Sequence, residues 1–347
     1  MQWWSWIAGG VILLGSELLF VDAQFYLVFI GGSALLVGVL VVNGTGKANQ
    51  LIRYGITARA ETWRVSGNFL NDPVAAAGRL YVATGFGSLS ALDPKTGKVL
   101  WSKMLGAPIR SSPTAISDRV FVNTTEGRIF ALAGSDGSEL WSTRGLPESA
   151  SLIASPSPAV DGDVLVAPFS TGEIMGLRVS SGETLWTESL TRTRGTSAMA
   201  AMSDAARPVI DAGTVFAIGH GGRMLASQAR TGERIWSINM ASTQPPWVAG
   251  DNVFVVDTAG QLLSLNRRDG QTLWTIKLPE SNVWSGPTLA GGTLWLVSSK
   301  GLLVGAEATT GKITFQHSLG SPGYIAPVVA GGRLFVLTDN ARLSVYN

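Results

Sequence analysis

The stretch that decides the fold is Ala91-Leu92-Asp93-Pro94-Lys95-Thr96-Gly97-Lys98-Val99-Leu100-Trp101. An apolar pair leads into Asp-x-x-Thr-Gly, and a short apolar run ending in tryptophan follows. That order reads as strand, tight turn, strand. Asp93 can hydrogen-bond the backbone of its own turn, and Gly97 can take positive φ without steric cost. Related segments place a glycine four residues before an aromatic at Gly137/Trp141, Gly182/Trp186, Gly232/Trp236, Gly270/Trp274 and Gly311/Phe315. Trp63, in Thr62-Trp63-Arg64-Val65, reads as an isolated final strand of the same kind. The aromatic positions are 38, 40, 45, 50, 38 and 41 residues apart. A period near forty outranks any local signal.

A second marker counts the units independently. A proline precedes an apolar strand and a Gly or Asp turn at Pro73, Pro113, Pro158, Pro208, Pro246, Pro287 and Pro327. Each unit reads as four short strands, and four strands per forty residues is a β-propeller blade. The sequence predicts an all-β propeller of seven blades over 61–347, with eight as the alternative if residues 44–60 are more than a linker. The last unit stops after three strands, so the Trp63 strand is expected to pair with the carboxy-terminal blade and close the ring.

Ahead of the repeats, Trp3–Val42 is almost wholly apolar. Phe25–Val42 is 18 residues without a charge, near the ~20 that span a bilayer. The expectation is an α-helical transmembrane hairpin over 1–43, touching lipid through residues 3–42, with Asp22-Ala23-Gln24 as the break. Glu17 reads as an interfacial carboxylate, and Trp3, Trp4 and Trp6 suit an interfacial belt.

Composition removes whole classes of function. The 347 residues include no cysteine and two histidines, His220 and His317. Disulfides, Cys-ligated metal, thiol catalysis and multi-histidine metal sites are therefore excluded. Only 14% of residues are charged, the net charge is +2, and the basic residues form no run, so no nucleic-acid partner is expected. His220 is the best catalytic candidate by residue type, but it falls in the turn between a blade's second and third strands. Asp93, Asp136 and Asp269 occupy turn positions that explain them.

The signature Ala-x-Asp-x-x-Thr-Gly-x-x-x-Trp resembles the PQQ-type propeller repeat. Within that group the chain resembles the BamB family, in its alphaproteobacterial form. The resemblance is carried by Gly106-Ala107-Pro108-Ile109-Arg110-Ser111-Ser112-Pro113, Ser155-Pro156-Ser157-Pro158-Ala159-Val160, Pro246-Trp247-Val248-Ala249-Gly250 and the ending Ile325-Ala326-Pro327-Val328-Val329-Ala330-Gly331-Gly332. It spans about 61–347. It implies eight blades, a lipidated amino-terminal cysteine and a periplasmic scaffold for outer-membrane β-barrel assembly in a Gram-negative bacterium. This chain shows seven repeats and has no cysteine to lipidate. The first forty residues resemble the membrane region of NfeD-like proteins, through Trp3-Trp4-Ser5-Trp6-Ile7, Glu17-Leu18-Leu19 and Gly31-Gly32-Ser33.

The PQQ-type resemblance also covers dehydrogenases that hold Ca²⁺ and a quinone. The expected reading is nevertheless non-enzymatic, with no cofactor, no metal and no small-molecule substrate. The two longest intervals put extra residues in Pro147–Ser157 and Thr191–Arg207, on neighbouring blades. The resemblance implies that such loops contact BamA, and Leu152, Ile153, Asp204 and Arg207 are the candidate partner-binding residues. The other readings are an inner-membrane, NfeD-like-anchored sensor or quality-control module, and a PQQ-dependent dehydrogenase. Lys47, Arg53 and Arg59 after the apolar segment favour a cytoplasmic propeller, whereas the BamB resemblance favours a periplasmic one.

Overall fold

The structure is a computed structural model that describes residues 73–145, 156–190, 206–279, 283–340 and 342–346, together with four strands between 26 and 66. The described strands form eight antiparallel sheets, each built in simple chain order. Sheet 1 holds Tyr26–Phe29, Val37–Val42, Gln50–Gly55 and Ala60–Ser66. Sheet 2 holds Val74–Ala76, Arg79–Ala83, Ser88–Leu92 and Val99–Met104. Sheets 3 to 8 occupy 114–144, 159–189, 209–239, 247–277, 288–318 and 328–346, and the eighth has three strands among the described residues.

The first strand of each sheet lies beside the first strand of the next, from sheet 1 through to sheet 8. First strands are therefore the inner wall of a ring and fourth strands its rim. This is a β-propeller, and its sheets are blades.

Two expectations are corrected here. Among the described residues the blades number eight, and the Trp63 strand lies within blade 1, where Trp63 pairs with Arg53, rather than in the last blade. Nor is the second predicted span a helix, because Tyr26–Phe29 and Val37–Val42 pair as antiparallel strands. The reason is an ambiguity of period. An uncharged apolar run fits a membrane helix, but it also fits a strand covered on both faces. Val164–Pro168 shows such a strand within the ring, buried at all five positions. The first predicted span lies outside the described residues. Among the described residues, no helix is long and apolar enough to cross a membrane.

Packing is organised between blades. Each apolar cluster draws on two neighbours: Val164, Val166 and Trp186 of blade 4 pack with Val215, Ala217 and Leu225 of blade 5, for example. The fourth-strand tryptophan makes the connection directional. The indole Nε1–H of Trp101 donates to the Gly134 carbonyl at 2.8 Å, Trp141 to Val179 at 2.9 Å, Trp186 to Ala229 at 2.7 Å, Trp236 to Arg267 at 2.8 Å and Trp274 to Ala308 at 3.2 Å. Every acceptor belongs to a turn of the following blade.

A β-bulge aims the ring outward from its own blade. Ala91 pairs with Trp101 and Leu92 with Val99, leaving Leu100 unpaired, and the same shift recurs before Trp141, Trp186, Trp236 and Trp274. A bulge adds local twist and redirects the side chain after it. The indole then covers the motif glycine of the next turn. A Cβ on Gly137 would stand 2.6 Å from Trp101 Cε3, and one on Gly182 would stand 2.5 Å from Trp141 Cε3. Gly182 also has φ of +73°, a conformation costly for residues that carry a Cβ.

The turn acids complete the unit. Asp93 Oδ1 accepts from the amides of Lys95 and Thr96 at 2.7 and 3.2 Å, and Asp136 Oδ1 accepts from Ser138 at 2.9 Å. These amide hydrogen bonds hold both carboxyls below the usual carboxylate range. A lowered folded value means that the stabilisation is present above the unfolded value and is lost as pH falls through the folded one. Replacing both Asp93 and Asp136 by Ala should lower the thermal midpoint at neutral pH and flatten its fall on acidification below the usual carboxylate range. Gly182→Ala should cost about 2 kcal/mol or more in urea denaturation, from left-handed backbone strain plus overpacking. Trp236→Phe, which keeps most of the bulk but loses the donor, should cost about 1–2 kcal/mol in the same assay.

Candidate partner-binding face

The inner strands enclose a central cavity of about 460 Å³. Its wall comes from the starts of the first strands: Val74, Thr114, Ala159, Val209, Trp247 and Thr288, with Ala326 just ahead of blade 8. Three of the seven prolines that marked the repeats stand here, Pro208, Pro246 and Pro287. A proline cannot donate to a sheet ladder, so it suits the position before an inner strand begins. Thr114 Oγ1 donates to the Pro158 carbonyl at 2.6 Å and Thr288 Oγ1 to the Pro327 carbonyl at 2.7 Å, each reaching the following blade.

Arg207 is the one charged side chain of the cavity wall among the described residues, and it is exposed there. It follows the second long connection, between blades 4 and 5. Leu152, Ile153 and Asp204 lie outside the described residues. The flanks of both long connections are described, and each connection joins an outermost strand to the next innermost one. Both therefore leave from the end of the ring where the cavity opens. Arg207 is brought to that mouth together with Ala159 and Val160, which follow the first connection.

Two residues of this face were missed by sequence reasoning. Trp247 stands on the cavity wall at 36% exposure, whereas the blade-motif Trp186 and Trp236 are buried. Its signal was being a tryptophan outside the glycine–tryptophan spacing. Asn123 is buried at the end of the second strand of blade 3, and its Nδ2 donates to the carbonyls of Pro156 and Pro168 at 3.1 and 2.9 Å. It thereby holds the base of the first long connection against blade 4. The matching positions in blades 2 and 4 to 8 are Ala83, Pro168, Ile218, Val256, Val297 and Leu337, all apolar. A lone polar residue at an apolar register was the available signal.

The wall does not suit the cofactor chemistry of quinone dehydrogenases. Ca²⁺ needs several convergent carboxylate, amide or carbonyl oxygens. Among the described residues the lining has no Asp, Glu, Asn or Gln, its two threonine hydroxyls are spent on proline carbonyls, and its one charge is positive. His220 is exposed in the turn that follows Thr214–Ile218 and is not on the cavity wall. No group of three metal-ligating side chains is present among the described residues. Asn123→Leu should cost about 1–3 kcal/mol, read by urea denaturation, because two buried carbonyls lose their donor.

Comparison with known proteins follows the same lines. The family of outer membrane protein assembly factor BamB matches residues 48–276 and 260–347. That match begins after the NfeD-like stretch and gives it no support; it does not distinguish an alphaproteobacterial form either. No curated protein matches the chain. Among solved structures, BamB from Moraxella catarrhalis superposes with a TM-score of 0.79 at 18% identity, over 94% of this chain and 98% of that one. A europium-containing methanol dehydrogenase gives 0.70 at 14% identity, over 94% and 86%. The quinohemoprotein alcohol dehydrogenase of Comamonas testosteroni gives 0.68 at 13%, over 92% and 72%. At such identities these structures share the fold alone. The family match, spanning nearly all of the ring, is the stronger finding: this chain belongs to the BamB family of outer membrane protein assembly factors.

Proposed function

We propose that the protein is a non-enzymatic, membrane-associated propeller scaffold of the periplasm that supports assembly of outer-membrane β-barrel proteins. The observation that carries this reading is the BamB family match over residues 48–347. The partner is a BamA-like barrel-forming subunit, held at the cavity-mouth end of the ring. Arg207, Trp247 and the two long connections, with Leu152, Ile153 and Asp204, form the contact. Loops on a rigid scaffold are where binding residues concentrate. Inter-blade packing supplies the rigidity, and Asn123 steadies the first connection where it enters blade 4.

The likeness to methanol and alcohol dehydrogenases favours a second reading, a quinone-dependent oxidation at the ring centre. The described part of the wall argues against it, since it offers a metal ion no carboxylate, no side-chain amide and no free hydroxyl.

A photoreactive amino acid at position 207 should crosslink to the BamA-like subunit in cells, and Arg207→Glu should weaken co-purification of the two at least tenfold, about 1.4 kcal/mol. A crosslink only to other proteins would overturn the assignment. Equilibrium dialysis with pyrroloquinoline quinone and Ca²⁺ tests the dehydrogenase reading, and saturable binding would revive it.

A further inference from the structure

The repeats supply their own control for surface chemistry, because equivalent positions in successive blades can be compared directly. Blade 2 departs from blades 3 to 7. At the corner where the second-to-third-strand turn meets the end of the fourth strand, blade 2 carries Phe86 and Met104, 73% and 63% exposed. Ser88 pairs with Met104, and the Leu105 amide donates to the Gly87 carbonyl at 2.8 Å, so the two side chains belong to one corner.

The same register in blades 3 to 7 puts Arg144, Ser189, Asn239, Lys277 and Ser318 in the place of Met104. Glu126, Thr171, Gly221, Ala259 and Lys300 stand in the place of Phe86. None of these is a large apolar residue. Along the rest of the same strand, Val99 and Leu100 are each 48% exposed. Val99 takes the place of Glu139, Thr184, Arg234 and Thr272 in blades 3 to 6 and of Ile313 in blade 7. The outer edge of blade 2 therefore carries exposed apolar side chains at both ends of its fourth strand, with exposed Ser102 and Lys103 between them.

The same edge is also basic, as are the equivalent edges of blades 5 and 6. Residues 86–104 hold Lys95, Lys98 and Lys103 against Asp93, a sum of +2. The equivalent stretch of blade 3, 126–144, holds Arg128 and Arg144 against Glu126, Asp136 and Glu139, a sum of −1. Lys95, Lys98 and Lys103 are exposed, as is Arg110 beyond the strand, and the carboxyl of Asp93 is taken up by its own turn.

We propose that the outer edge of blade 2 rests on an anionic lipid surface, with Phe86, Met104, Leu100 and Val99 entering the headgroup boundary and the lysines flanking them on phosphate. Large apolar side chains with basic neighbours are the chemistry of an interfacial membrane contact. A protein partner for so basic an edge would need an acidic apolar surface, whereas an anionic bilayer supplies both features continuously. The inference rests on the membrane-associated reading above and is independent of any BamA-like partner.

The chain has no cysteine, so single cysteines can carry an environment-sensitive fluorophore without background labelling. Four full-length variants would be bound to vesicles of equal parts phosphatidylcholine and phosphatidylglycerol: Phe86→Cys, Met104→Cys, and the blade 3 equivalents Glu126→Cys and Arg144→Cys. Any contribution of residues 1–43 to binding is common to all four. Labels at 86 and 104 should blue-shift and be quenched by nitroxide-bearing lipid, while those at 126 and 144 stay in water. Both effects should be lost on pure phosphatidylcholine and at high ionic strength. Equal quenching at all four positions would overturn the proposal. So would a blue shift at 86 and 104 that appears without vesicles and grows with protein concentration, which would assign the edge to a second copy of the chain. High exposure of Phe86 and Met104 keeps the substitutions clear of the core.

Discussion

The indole of one blade lying over the glycine of the next is the contact on which this ring depends. It asks three things of the chain at once. The tryptophan must be turned out of its own sheet, which the bulge accomplishes. The next turn must present a bare backbone, which its glycine supplies. A carbonyl must stand within reach of the indole N–H, and the turn places one between 2.7 and 3.2 Å away in five consecutive interfaces. The last two conditions cannot be met within a single blade. A blade taken alone would expose an aromatic face and leave that face unpaired, so stability belongs to neighbours rather than to units.

Variation around this contact shows what it tolerates. In four blades a second-strand aromatic meets the tryptophan of its own sheet at 5.8–6.1 Å between centroids: Tyr81, Phe121, Phe216 and Phe254. Blade 4 has no such aromatic, and Gly176 lets the backbone close directly on Trp186 instead, with no space for a Cβ. Blade 7 exchanges the roles. Phe315 takes the tryptophan's place without an N–H to donate, and Trp295 on the second strand meets it edge-on at 5.4 Å. Aromatic volume is kept while the donor is not.

Such a ring makes a stiff platform with two differentiated regions. At its centre the inner strands bring prolines, two satisfied threonines and a single arginine together. That composition suits an apolar or anionic group better than a metal-assisted reaction. At the same end, the two long connections leave from adjacent blades, one of them steadied by the Asn123 amide. Its rim is mostly polar apart from the exposed aliphatics before four of the tryptophans, Leu100, Leu140, Ile235 and Leu273, which the bulge leaves outside the ladder. Blade 2 adds Phe86 and Met104 to that pattern.

Repeat, blade architecture and the turn chemistry of Asp93 and Gly97 were legible in the sequence, because a forty-residue period is written in residues that are local to each turn. So was the site of the two long connections, since insertions show directly as unequal spacing. Blade number was not legible. Gln50–Gly55 and Val37–Val42 carry neither the proline nor the glycine–tryptophan marker, and an unbroken apolar run has no period to separate strand from helix. Partner choice for the Trp63 strand was likewise a tertiary matter, because any free strand can complete an open sheet until register is set by what lies beside it. Asn123, Trp247 and the corner formed by Phe86 and Met104 became meaningful only in three dimensions. Their significance lies in what each faces across a blade boundary, the cavity or solvent, and one-dimensional spacing records none of these.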